Sequence, residues 1–270
     1  MNPTKIQRFF AQRCARNEPL VLVTVTETQG STYSKAGDQM LIDASGVGCG
    51  MLSGGCLESD LAVRAQVVLE SGDDQSVTYS LASGDDDVWG LGIGCDGSMT
   101  IGLQRIKAAD DYAPFKLPTP IRLLILGAGL DAVPLTRLAD EIGWSCTIAD
   151  HRPAYVDHAG FPDECEKHCV EPAQLAATVD LYTFDCAVVM SHHLASDREY
   201  LRQLADSNIS YVGLLGPVAR KERLLSELNE LGVQMRGHLH GPAGLDLGGR
   251  GPEAIALSIV AQIQQVLAQD

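Results

Sequence analysis

Apolar residues recur at helical spacing over residues 4–16, where Ile6, Phe9, Phe10 and Cys14 predict an amphipathic helix. After Pro19 that spacing gives way to the run Leu20–Val25, rich in β-branched residues, which predicts a buried strand. Thr28–Gly37 is polar and punctuated by glycine and predicts a loop, and Met40–Asp43 predicts a strand that turns at Ala44-Ser45-Gly46. From Glu58 to Glu70 the residues Leu61, Ala65, Val68 and Leu69 share one helical face, and Met99–Leu103 predicts a short strand. Residues 1–106 therefore predict a small α+β domain. Residues 107–120 hold three prolines and two adjacent aspartates without apolar periodicity, the composition of a linker.

From Ile121 the pattern changes. Arg122–Leu126 ends in four consecutive apolar residues, as expected of a parallel strand covered on both faces. A helix of about 12 residues follows, and then strands at Ser145–Asp150, Asp185–Met190 and Tyr211–Gly216. This rhythm predicts a doubly wound parallel sheet over residues 121–270. The final helix opens at Gly251-Pro252-Glu253 and carries Ile255, Ile259, Ile263 and Leu267 on one face. Pro252 suits its first turn, where the missing N–H costs nothing. The fold class is thus α/β: a small N-terminal α+β domain followed by a Rossmann-like doubly wound parallel-sheet domain.

Composition narrows the chemistry. The chain has 270 residues, 45% of them hydrophobic and 20% charged, and no stretch approaches the roughly 20 apolar residues that span a bilayer. With no apolar N-terminal signal, the expected location is the cytoplasm, away from membranes. A net charge of −15 argues against nucleic acid, itself a polyanion. An anionic small ligand remains compatible, because backbone amides at helix starts bind phosphate without net positive charge. Eight scattered cysteines in a chain of this length are not a disulfide framework and are expected to be free thiols.

Two kinds of candidate site stand out. Gly127-Ala128-Gly129-Leu130-Asp131-Ala132 follows a strand, opens a helix, and is followed by Asp150 at the end of the next strand. That is the setting of a dinucleotide-binding turn. Gly127 permits the tight turn, Gly129 close approach of a pyrophosphate, and Ala132 close packing of helix on strand, while Asp150 is placed to accept from ribose hydroxyls. Asp131 inside the turn repels phosphate unless it points away. His192 and His193 follow the strand Asp185–Met190, at the end where α/β sheets place ligands. The second kind is a pair of glycine loops with a cysteine. Five glycines fall between Gly46 and Gly55, ending in Ser53-Gly54-Gly55-Cys56 directly before a helix whose first amides favour an anion. Gly92-Ile93-Gly94-Cys95-Asp96-Gly97 repeats the theme. By contrast, Cys165, His168 and Cys169 lack the spacing of a usual zinc site.

Together these segments resemble the XdhC/CoxI family, accessory proteins of molybdenum hydroxylases such as xanthine dehydrogenase. Gly30-Ser31-Thr32 with Gly37, Ser53-Gly54-Gly55-Cys56-Leu57-Glu58 and Trp89-Gly90-Leu91-Gly92-Ile93-Gly94-Cys95 resemble three of its segments. Tyr211–Gly216 and Gly244–Glu253 resemble two more. Tyr33 and Ser34 stand where the family usually has Pro and Arg, Asp96 replaces a Gly, and Ser191-His192-His193 stands where the family often has Thr-His-Asp.

The resemblance implies a maturation chaperone rather than an enzyme in the usual sense. Its expected cofactor is molybdenum cofactor, a molybdopterin with or without a nucleotide. Its expected partners are a cysteine desulfurase that helps install the terminal sulfur and the hydroxylase apoenzyme that receives the product. Cys56 and Cys95 become the expected thiols near molybdenum. Gly54, Gly55, Gly94, Gly127, Gly129, Asp150, His192 and His193 become the expected remainder of the cofactor site. Two other readings stay open: an NAD(P)-dependent oxidoreductase with His192 or His193 as acid/base, and a scaffold that only docks a hydroxylase. A homodimer is the expected assembly, closed dimers being the commonest oligomer.

Overall fold

In the computed structural model, residues 2–81, 97–107, 119–235 and 239–269 are described. The chain forms two compact units, Met1–Pro118 and Thr119–Asp270.

The first unit begins with helix α1 (Pro3–Ala15), capped by the Asn2 side chain, which accepts from the Lys5 N–H at 2.9 Å. Strands β1 (Leu20–Gln29), β2 (Gln39–Asp43) and β3 (Gly48–Cys49) lead to helix α2 (Glu58–Ser71), and β4 (Gln75–Ser80) and β5 (Ser98–Ile106) follow. The sheet is antiparallel in the order β3-β2-β1-β5-β4. Its centre explains the apolar run, which only Thr24 interrupts. Val21, Val23 and Val25 face the core shared with Leu61, Ala65 and Val68 of α2, whereas Leu20 and Leu22 face Ile6 and Phe10 of α1. Both faces are covered, so alternation vanishes. The first strand runs four residues beyond the expected Val25, through a bulge between Val25 and Glu27 that lets pairing with β5 continue. The edge strand β4 was not expected: of its six residues only Tyr79 is buried, which leaves too weak a pattern to detect.

The second unit contains β6 (Arg122–Leu126), α3 (Ala132–Glu141), β7 (Ser145–Asp150), the short α4 (Pro153–Val156), β8 (Glu166–Cys169) and α5 (Leu175–Thr178). It continues with β9 (Cys186–Val189), α6 (Leu194–Leu204), β10 (Tyr211–Leu214), α7 (Val218–Glu230), β11 (Leu239–His240) and α8 (Pro252–Leu267). All paired strands are parallel, in the order β11-β10-β9-β6-β7-β8. Numbered within the unit this is 3-2-1-4-5-6 read from the other edge, the order of a dinucleotide-binding sheet. Leu123 and Ile125 pack beneath α3 and α8, and Leu124 and Leu126 pack toward α6 and α7. The order reverses between β6 and β9, and ligands of such sheets bind at that reversal, outside the carboxyl ends of the strands.

Candidate functional site

The Cys56 loop is fixed by a single carboxylate. Oε1 of Glu58 accepts the N–H groups of Leu52 and Ser53, both at 2.9 Å, and Oε2 accepts the Gly55 N–H at 3.0 Å. The Ser53 hydroxyl also donates to Glu58 and accepts from the Leu57 N–H at 2.8 Å. Gly54 and Gly55 have φ of +76° and +109°, which only glycine adopts without strain, and they turn the loop outward. Leu52 and Leu57 anchor it in the core while Cys56 is exposed. A Cβ built on Gly55 meets no atom of the described residues within 4 Å, so the backbone beside Gly55 is left open by them. Sequence reasoning left Glu58 out of the site; the signal was a glutamate at the first helical position, after a serine that can share its bonds.

Burial pushes the Glu58 carboxyl up, but the hydrogen bonds from Ser53 and Leu52 outweigh it and hold the group below its ordinary value. Its stabilisation is therefore present above the ordinary carboxylate value and is lost as pH falls through the lowered one. Amide exchange at Leu52, Ser53 and Gly55 is expected to lose protection on acidification ahead of α2 itself. Glu58→Gln should already lose part of that protection at neutral pH, because one of its two acceptor oxygens becomes an NH2 donor that faces either the Gly55 N–H or those of Leu52 and Ser53. A protection profile in Glu58→Gln matching wild type would remove the assignment.

Two neighbours complete this region. The Gly30–Gly37 loop projects Tyr33 between buried Thr32 and Ser34, and a Cβ on Gly54 would lie 3.7 Å from the Tyr33 ring. Gly97, where the described chain resumes, is pressed against the same loop: a Cβ there would lie 2.6 Å from the Ser31 carbonyl oxygen. Cys95 and Gly94 lie outside the described residues.

The other cysteines differ. Cys146, Cys165 and Cys186 are buried, and burial pushes their thiols up, that of Cys165 to about 12. Cys169 is exposed at the end of β8, and His168 on the same strand contacts Glu166 at 3.0 Å. Among the described residues, no three of His, Cys, Asp and Glu come together as metal ligands.

At the sheet reversal, the Gly127 turn meets the loop after β9. Gly127 has φ +117°, and a Cβ there would lie 2.6 Å from the Ser191 backbone. Ala132 is fully buried beneath the turn, as its small size predicts. Asp131 does not clear the turn: its Oδ1 stands 2.6 Å from a Cβ position on Gly129, while its Oδ2 lies 2.6 Å from Nε2 of His192, whose φ is +62° and whose ring is exposed. The structure thus joins Gly127, Gly129, Asp131 and His192.

Two expected ligand groups are committed elsewhere. Asp150 was expected to accept from ribose hydroxyls; instead it is fully buried and saturated by the protein. It accepts from the Ala128 N–H at 2.8 Å, the Arg152 N–H at 2.9 Å, and Arg152 Nε and Nη2 at 2.9 and 2.7 Å. Burial pushes its carboxyl up, but Arg152 and the Ala128 amide outweigh that and hold it below the ordinary range. His193 caps α6, its Nδ1 accepting from the Ser196 N–H at 3.4 Å. Ser191 and Arg220 hold the buried Asp197 behind this loop, Arg220 at 2.6 Å.

Arg152→Ala strands the Asp150 charge. It is expected to cost about 2–3 kcal/mol, below the usual figure for a broken buried pair because Arg152 keeps a third of its side chain in water. The gap to wild type should narrow as pH falls. The stranded carboxylate takes a proton, and the wild-type pair loses its advantage through its own lowered value. Denaturant midpoints at neutral and acidic pH check this, and a gap constant across pH counts against the pairing.

The fold and the glycine turn define a two-unit α/β protein whose second unit is a Rossmann domain. The model of the XdhC Rossmann domain matches residues 123–263, and that of the XdhC and CoxI family matches residues 13–80. The chain belongs to the XdhC and CoxI family. It is 30% identical to a probable xanthine dehydrogenase subunit of Bacillus subtilis, over 92% of this chain and 93% of that one. It is 24% identical to the molybdenum cofactor insertion chaperone PaoD of Escherichia coli, over 97% and 87%. A crystal structure described as a xanthine dehydrogenase from Bacillus halodurans superposes with a TM-score of 0.82 at 27% identity, covering 100% of this chain and 96% of that one. Among the described residues no helix is long and apolar enough to cross a membrane.

Proposed function

We propose that this chain is a maturation factor for a molybdenum hydroxylase: it holds molybdenum cofactor, supports its sulfuration with a cysteine desulfurase, and passes it to the apoenzyme. The observation that carries this reading is the exposed Cys56 thiol on a glycine loop held outward by Glu58. The names of two relatives, one a cofactor insertion chaperone and one a xanthine dehydrogenase subunit, point the same way. The residues present fit the group. The open space beside Gly55 admits a ligand close to the backbone, and a thiol suits a soft metal centre. When bound, the cofactor supplies the molybdenum that receives sulfur and later serves the hydroxylase. Cys56 holds the metal end; in the second unit the Gly127–Gly129 turn is a separate site that offers its amides to a phosphate once Asp131 swings aside. Glu58 keeps the Cys56 loop in one conformation, so that binding does not first have to order it.

The oxidoreductase reading asked Asp150 to hold a ribose and a histidine to move a proton. Asp150 is committed to Arg152 and His193 to the α6 cap, leaving His192 alone for such work. Protein purified from a molybdenum-replete host separates the readings. Molybdenum by elemental analysis together with pterin absorbance supports the maturation factor; bound nicotinamide supports the oxidoreductase; neither leaves a scaffold.

A further inference from the structure

Tyr33 is 63% exposed, yet it is not a loose surface ring. Its two neighbours, Thr32 and Ser34, are buried, and the Thr32 hydroxyl donates to the Ser34 carbonyl at 2.7 Å, which pins the backbone on both sides. The edge of the ring, Cδ2 and Cε2, lies in van der Waals range of a Cβ position on Gly54. The hydroxyl lies 3.9 Å from Sδ of Met51, itself half exposed. The ring thus stands against the loop that carries Cys56, with most of its surface open to solvent. Aromatic faces of this kind bind planar heterocycles by offset stacking, and a tyrosine loses little conformational freedom in doing so.

We propose that Tyr33 is the stacking wall of the Cys56 site, taking the planar heteroaromatic ring of a pterin while Cys56 reaches the ligand's metal end. The proposal rests on the reading of the Cys56 loop as a cofactor site and adds which residue recognises the ring.

Full-length wild type, Tyr33→Phe and Tyr33→Ala are purified from a molybdenum-replete host. Pterin retained per chain is read as the fluorescence of its oxidised form, and pterin-6-carboxylate is titrated into each protein as a free probe. Tyr33→Ala is expected to retain and bind roughly tenfold less, the order of a lost base–aromatic stack. Tyr33→Phe, which keeps the ring and lacks the hydroxyl, should restore both to near wild type. Alkylation of Cys56 by iodoacetamide in the three proteins freed of ligand, with exposed Cys169 as internal reference, should be alike, showing that the loop still folds. Tyr33→Ala binding as tightly as wild type overturns the proposal and leaves the Cys56 reading standing. Tyr33→Phe as weak as Tyr33→Ala overturns it too, by assigning the effect to the hydroxyl on Met51. Wild type holding neither molybdenum nor pterin removes both the proposal and the reading beneath it.

Discussion

Cys56→Ser is expected to reduce the molybdenum and pterin carried by the purified protein at least tenfold, and reactivation of an apo-hydroxylase with it. The estimate is a floor, since disturbing only the partners of a metal ligand costs about 10–100-fold. The oxygen of serine is hard and protonated where a thiolate is soft and charged, so the exchange removes the donor and keeps the shape. Stability should hardly change, because Cys56 is exposed and the loop is fastened by Glu58 through Leu52, Ser53 and Gly55 rather than through the sulfur. Cys169→Ser is the matched control: another exposed thiol, at the end of a strand in the other unit. Equal loss in both variants would mean that exposed thiols act without regard to place. Full retention in a variant lacking both Cys56 and Cys95 would leave the glycine loops with structural work only.

The sequence made Cys56 legible because glycines and a following helix are local signals, and an outward loop is a local outcome. The two central strands were legible for a different reason. Leu20–Val23 and Leu123–Leu126 are buried on both faces, and only an unbroken apolar run satisfies that. Edge strands carry no such demand. β4 and β8 bury only Tyr79 between them, so Gln75–Ser80 and Glu166–Cys169 resemble loops until the neighbouring strand supplies their hydrogen bonds.

Committed side chains were harder to see. Asp150 has the position of a ribose ligand, and only the folded end of β7 shows that Arg152, two residues on, wraps back over it. His193 is not among the residues favoured at helix starts, so its capping of α6 left no trace in the sequence. Asp131 looked like a repulsive charge in a phosphate turn; its pairing with His192 links positions 61 residues apart. Each of these partnerships is made by side chains brought together at the end of a sheet, which neither periodicity nor spacing records.

The two glycines of that turn should respond in opposite ways to an added side chain. Gly127→Ala is expected to cost about 3–5 kcal/mol. Its φ of +117° lies where L-residues are strained, and the new Cβ would stand 2.6 Å from the Ser191 Cα and N and 2.7 Å from the Met190 carbonyl carbon. Those are backbone atoms at the end of β9, held by the Met190 N–H donating to the Leu126 carbonyl at 2.8 Å, so they do not move aside. Gly129→Val meets something softer. Its Cβ lies 2.6 Å from Oδ1 of Asp131, the far end of a side chain that can swing away at the expense of its contact with His192. That variant should fold with a denaturant midpoint close to wild type, yet bind a phosphate-bearing ligand at least tenfold more weakly, because the isopropyl group fills the space through which phosphate reaches the amides. Comparing urea midpoints with retention of a phosphate-bearing ligand in the two variants separates the roles. Gly129→Val retaining its ligand like wild type would place the phosphate elsewhere, and Gly127→Ala folding normally would contradict the packing of the turn against Ser191.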